Sequence, residues 1–105
     1  MAVEVITSRN FEEFVKHDKA VLDFYADWCG PCRMLGPVVE RVSEELKETK
    51  FGKANVDKDF ELGQRFMVMA VPTVILFSKG KQVDRFSGAV SKDELVEIVK
   101  NISKK

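Results

Sequence analysis

Cys29 and Cys32 stand three positions apart in the run Trp28-Cys29-Gly30-Pro31-Cys32, and they are the only cysteines of a 105-residue chain. Two thiols at that spacing can open and close a disulfide, or supply two ligands to a metal ion. Redox chemistry requires a thiolate, and an ordinary thiol with a pKa of about 8.5 is only a few per cent ionised at neutral pH. Activation has to come from the surroundings. Cys29 follows an apolar strand-like run and opens a helical one, where unpaired backbone N–H groups and the helix dipole favour negative charge. Pro31 suits a first helical position, since its missing N–H would find no partner there. Such a helix end contributes roughly 1 kcal/mol, less than about one pKa unit. A hydrogen bond from the Cys32 thiol to the Cys29 thiolate is the natural second contribution.

Once Cys29 is bonded to a substrate sulfur, Cys32 must lose its proton and attack Cys29 to release the reduced substrate. A base is needed beneath it. Asp23 lies six residues upstream in the otherwise apolar run AVLDFYA (residues 20–26), which reads as a central strand covered on both faces. Burial there raises a carboxyl pKa toward neutrality, the range of a useful general base. The plainer reading is a core carboxylate satisfied by neighbours; the base is the favoured one, because an unpaired carboxylate buried merely for structure would be costly.

The elements that would hold these groups follow from the period of the apolar pattern. Val3–Ile6 reads as a strand, and Phe11, Phe14 and Val15 as a helix with Thr7 or Ser8 as its cap. Leu35, Val38, Val39, Val42 and Leu46 make the apolar stripe of a long helix, bent at Pro37. Residues 51–56 give a third strand and residues 59–66 a short helix. Residues 73–77 and 82–86 form an antiparallel hairpin around the turn at residues 78–81. Ser91 and Glu94 make a capping box for a final helix whose apolar face is Leu95, Ile98, Val99 and Ile102. The Lys104, Lys105 tail reads as solvated, as does His17.

This is one α/β domain over residues 1–105, of a size that buries a core without staples. Seventeen basic residues balance seventeen acidic ones, so no net field draws the chain to nucleic acid or an anionic membrane surface. No apolar run has signal-peptide or membrane-span length, and the expected location is cytoplasmic. Two cysteines are too few for a secreted disulfide scaffold.

FYADWCGPCR, with Pro37 and the later AVPTVILF, resembles the thioredoxin family over almost the whole chain. The resemblance implies the thioredoxin fold, a central mixed five-stranded sheet flanked by four helices. It implies a protein-disulfide reductase and electron carrier that works through a reversible Cys29–Cys32 disulfide, with no metal and no other cofactor. It makes Cys29 the exposed attacking thiol, Cys32 the buried resolving thiol, and Gly30-Pro31 the dipeptide of a reducing member. Pro72 matches the family's cis-proline, with Val71, Thr73 and Gly88 beside it at the substrate-binding edge; Lys53 matches a lysine near the core Asp. Gly80 matches a turn glycine. Trp28 is expected as a lid over the sulfurs. The implied partners are disulfide-containing client proteins and a thioredoxin reductase as electron donor, around a monomer.

Tyr25, Arg33, Met67 and Met69 depart from the commonest family pattern. The two methionines bear on partner choice; Met69 fits either a core filler or an adaptable docking residue. Zinc normally takes four ligands, and a single chain with one cysteine pair and one distant histidine offers too few, although two chains could share an ion through four thiolates. The other competing class is a binding or scaffold subunit of a larger complex, since fold alone does not fix function.

Overall fold

The computed structural model describes residues 2–104. In chain order the elements are β1 (Val3–Val5), α1 (Phe11–Phe14), β2 (Lys19–Tyr25), α2 (Gly30–Glu45), β3 (Lys50–Asn55), α3 (Phe60–Arg65), β4 (Thr73–Ser78), β5 (Lys81–Ser87) and α4 (Lys92–Lys100), followed by a 3-10 turn over Asn101–Lys104. The side chains at Lys104 and Lys105 lie outside the described part. The five strands form one sheet in the order β1-β3-β2-β4-β5. β1, β3 and β2 run parallel, β4 is antiparallel to β2, and β5 antiparallel to β4. This is the mixed sheet with four helices that the sequence implies.

β2 occupies the middle of the sheet, and its residues Ala20 to Phe24 are all buried. Side chains alternate across a strand. Ala20, Leu22 and Phe24 therefore pack with Phe11, Phe14 and Leu62 on the face covered by α1 and α3. Val21 packs with Leu35, Val39, Leu95 and Val99 on the face covered by α2 and α4. Asp23 shares the parity of Val21, so its carboxyl is directed to the α2 side. The same alternation in β3 puts Lys53 on the face of Phe51, and Lys53 is paired in register with Asp23.

α2 begins at Gly30 with Cys29 as its N-cap and Pro31 at the second helical position, one later than expected. The change is immaterial to the fit, because the first turn's N–H groups all lack intrahelical partners. Pro37 sits within the helix, where it removes the bond that the Arg33 carbonyl would otherwise accept. The capping box of α4 is formed in both directions between Ser91 and Glu94.

Two local readings need correction. Asn10, not Thr7 or Ser8, caps α1, and without a side-chain cap bond; its Oδ1 instead accepts the Thr7 N–H at 2.7 Å, holding the turn before the helix. The β4–β5 hairpin is tighter than read, with only Lys79 and Gly80 between the strands at φ 52° and 86°. Positive φ at both central residues marks the turn type whose twist matches paired strands. α3 closes with the Met67 N–H on the Gln64 carbonyl and the Val68 N–H on the Gly63 carbonyl, which leaves Met67 left-handed at φ 54°. Glycine is the usual residue at that helix end, and methionine there costs about 1 kcal/mol.

Gly52 and Gly36 make opposite predictions. A Cβ on Gly52 would stand 2.5 Å from Cγ1 of Ile6 and 3.0 Å from the Phe14 ring, whereas one on Gly36 in α2 would meet nothing within 4 Å. Gly52→Ala is expected to destabilise by about 1–3 kcal/mol through overpacking. Gly36→Ala is expected to stabilise by about 0.5–1 kcal/mol through helix propensity. Urea unfolding of the two variants beside the parent checks both signs.

Candidate active site

Where β2 ends, the Tyr25 carbonyl accepts the Val56 N–H at 2.9 Å, fixing the strand end against the loop that leaves β3. The chain then turns over residues 26–29, with the Cys29 N–H donating to the Ala26 carbonyl at 3.3 Å and the Arg33 Nη2 to the Asp27 carbonyl at 2.9 Å. This turn brings Cys29 to the start of α2. Its Sγ accepts the Cys32 N–H at 3.2 Å, the bond an N-cap oxygen would ordinarily accept. A sulfur in that place sits where the helix end favours negative charge.

Cys29 and Cys32 are joined in a disulfide, with their Cα atoms 5.3 Å apart. Both residues are buried, Cys29 at 4% exposure and Cys32 at 5%. The expectation of an exposed Cys29 beside a buried Cys32 is therefore not met in the disulfide form. Ala26 is buried with the pair, and Tyr25, Val56 and Val71 pack against this cluster.

Asp23, Cys32 and Lys53 line one cavity of about 330 Å³, together with Tyr25, Gly36 and Pro37. Asp23 is 4% exposed, and its Oδ1 is buried without a hydrogen-bond partner. Removal from water pushes its pKa up to about 7, against the opposing pull of the Lys53 charge. The reading of Asp23 as an ordinary satisfied core carboxylate does not fit an orphaned oxygen. Lys53 is half-buried, with its Nζ 5.9 Å from the centre of the Tyr25 ring.

On the other side of the disulfide, the Sγ of Cys29 lies 3.5 Å from the Val71 carbonyl oxygen, and the Val71–Pro72 peptide bond is cis. Thr73 is buried and its hydroxyl is occupied, donating to the Ala70 carbonyl at 2.6 Å beside the Ser87 hydroxyl at 3.1 Å. Gly88, at φ 93°, donates its N–H to the Pro72 carbonyl at 2.9 Å. Thr73 and Gly88 thus brace the Val71–Pro72 segment through backbone and hydroxyl contacts, while Val71 itself borders the sulfurs. Gly30 is exposed, with open space where a Cβ would stand.

Trp28 is 69% exposed, and its indole N–H donates to the Asp57 carboxylate at 2.9 Å. Asp57 was invisible to residue-type reasoning, as one polar loop residue among several. Its one sequence signal is the neighbouring Asn55, whose Oδ1 accepts the N–H groups of Asp57 and Lys58 and so turns the loop. Met67 and Met69 are both exposed, which removes the core-filler reading of Met69. Among the described residues no three His, Cys, Asp or Glu side chains are grouped to hold a metal, and no helix is long and apolar enough to cross a membrane.

The thioredoxin family model matches residues 2–101. A thioredoxin of Chlamydia caviae is 39% identical over 97 residues, covering 92% of this chain and 95% of the relative. Thioredoxin-1 of Saccharomyces cerevisiae is 40% identical over 90 residues, covering 85% and 87%. The X-ray structure of Fasciola hepatica thioredoxin superimposes with a TM-score of 0.88 at 38% identity, covering 94% of this chain and 98% of that one. Since the match runs from β1 through α4 in sequence and in backbone path alike, the chain belongs to the thioredoxin family of thiol–disulfide oxidoreductases.

Proposed function

We propose that the chain reduces accessible disulfides of client proteins, with Cys29 attacking, Cys32 resolving and Asp23 as the base between them. The observation that carries this reading is the buried Asp23 carboxyl, its Oδ1 without a hydrogen-bond partner, in the same cavity as Cys32. In the reduced protein the Cys29 thiolate attacks one client sulfur, and the client disulfide breaks toward its other sulfur, which leaves as a thiolate and takes up a proton. Asp23 then removes the proton of Cys32, whose sulfur attacks Cys29. The mixed disulfide breaks, the second client thiol departs, and two electrons have passed from the cysteine pair to the client. Lys53 tempers the rise of the Asp23 pKa, so that the carboxylate form is available near neutral pH.

The remaining assignments follow the same reading. Val71 and Pro72 present backbone to an extended client segment, supported by Thr73 and Gly88. Trp28, Gly30 and Pro31 support the cysteine pair, Gly30 by leaving its approach open. A thioredoxin reductase returns electrons to a cytoplasmic monomer, and the pair needs no further cofactor.

Three outcomes test this. The reduced protein should accelerate reduction of insulin by dithiothreitol, and absence of acceleration would sink the reading. Asp23→Asn should leave formation of the mixed disulfide nearly intact and slow its resolution by roughly 100-fold, as loss of a general base does; stopped-flow trapping separates the two steps. The same substitution should alter the pH dependence of stability. The folded pKa of Asp23, about 7, is above the unfolded value. The parent therefore loses stability as pH rises from about 4 through 7, up to about 4 kcal/mol in the limit. The advantage of Asp23→Asn should grow over that window and level off above it, as read by melting the disulfide forms. A pH-independent difference would show that the carboxyl is not held neutral by burial.

A further inference from the structure

Every methionine whose side chain is described is exposed: Met34 at 70%, Met67 at 73% and Met69 at 89%. A thioether ordinarily earns its place by filling core gaps, and none of these does so. Met67 and Met69 instead form one side of a groove of about 370 Å³ whose other walls include Val56, Phe60 and Gly63. The groove borders the surroundings of the reactive pair, with Val56 common to both. Val56 lines the groove and also packs against the cluster of Ala26, Cys29 and Cys32, and Asp57, which holds the Trp28 indole, stands in the groove wall. Phe60, 70% exposed, adds an uncovered aromatic ring to it.

We propose that Met67 and Met69 are sites of reversible oxidation by peroxide, and that their sulfoxides weaken the docking of client proteins. The proposal rests on the reductase reading above, since the docked segment is the stretch of client chain that flanks the disulfide under attack. In the oxidation step a sulfur lone pair attacks one peroxide oxygen and the O–O bond breaks. The thioether gains that oxygen as a sulfoxide and loses two electrons; hydrogen peroxide leaves as water. The product puts a polar oxygen on an apolar wall, and a client side chain seated there must strip its water without offering a hydrogen bond. Cys29 and Cys32 are spared while they remain joined to each other, because the disulfide presents no thiolate.

The test treats the disulfide form with hydrogen peroxide, removes the oxidant, and maps added oxygen by peptide mass spectrometry. Activity is then measured on insulin and on a small aromatic disulfide that has no flanking chain. The expected result is one oxygen at each of Met67 and Met69, a several-fold higher KM for insulin at unchanged kcat, and unchanged reduction of the small disulfide. Methionine sulfoxide reductases supplied with dithiothreitol, whose dithiol is oxidised as the sulfoxide oxygen leaves as water, should return the KM to its starting value. Met69→Gln, a polar near-isostere, should raise the insulin KM without peroxide, and in Met67→Leu/Met69→Leu peroxide should leave the KM where that variant started. Oxygen gained at Met34 but at neither Met67 nor Met69 would overturn the proposal, as would sulfoxides at both with no change in KM. Failure of the untreated protein to reduce even the small disulfide would overturn the reductase reading instead.

Discussion

Everything at the site depends on β2 being covered on both faces. A strand in that position must be apolar throughout, and alternation then decides which helix layer each side chain meets. The one charged residue among its buried positions, Asp23, falls by parity on the α2 side, and the neighbouring strand sets Lys53 beside it in register. Because α2 starts only a few residues after β2 ends, the same strand that buries the carboxyl also delivers the two sulfurs above it. The carboxyl and the cysteine pair are therefore not independent features. Both are consequences of one strand's path through the middle of the sheet.

The opposite wall comes from a separate part of the chain. The Val71 carbonyl approaches Cys29 because β4 is hydrogen-bonded alongside β2 and begins level with its end, Thr73 pairing with Phe24. The β5 strand then returns to brace that start through Gly88 and Ser87. The site thus has a local half, set by the β2–α2 junction, and a distant half set by sheet register. Only the first can be read from adjacent residues.

That division explains what the sequence made legible. The cysteine pair at a helix start, the core carboxyl, the order of strands and helices and the α4 capping box are short-range signals, and each is found in the structure, while the start of α2 and the hairpin turn differ by a residue or two. Tertiary contacts escaped it. The cluster that buries Cys29 takes in Val56 and Val71, far along the chain, beside the local Tyr25 and Ala26. The tie from Trp28 to Asp57 joins two exposed loops that carry no periodic pattern. The α1 cap was misplaced because Thr7, Ser8 and Asn10 all suit a helix start, and the choice among them depends on how Asn10 reaches back to the Thr7 N–H and the Val5 carbonyl. Met67 and Lys79 sit in backbone conformations that residue type alone argues against; the bonds that close α3 hold the first, and the Lys79 N–H donates to the Asp18 carbonyl at 3.1 Å.

The cross-link joins residues only three apart in sequence. In terms of chain entropy it closes almost the smallest loop a disulfide can close, and constrains the unfolded chain by about 2 kcal/mol, against nearly 5 kcal/mol for one spanning a hundred residues. Opening it therefore withdraws little of what keeps the chain folded, a task left to the two apolar layers on either side of the sheet. A carrier that must alternate between bridged and open forms in every turnover is in this way spared from alternating between a stable fold and a marginal one.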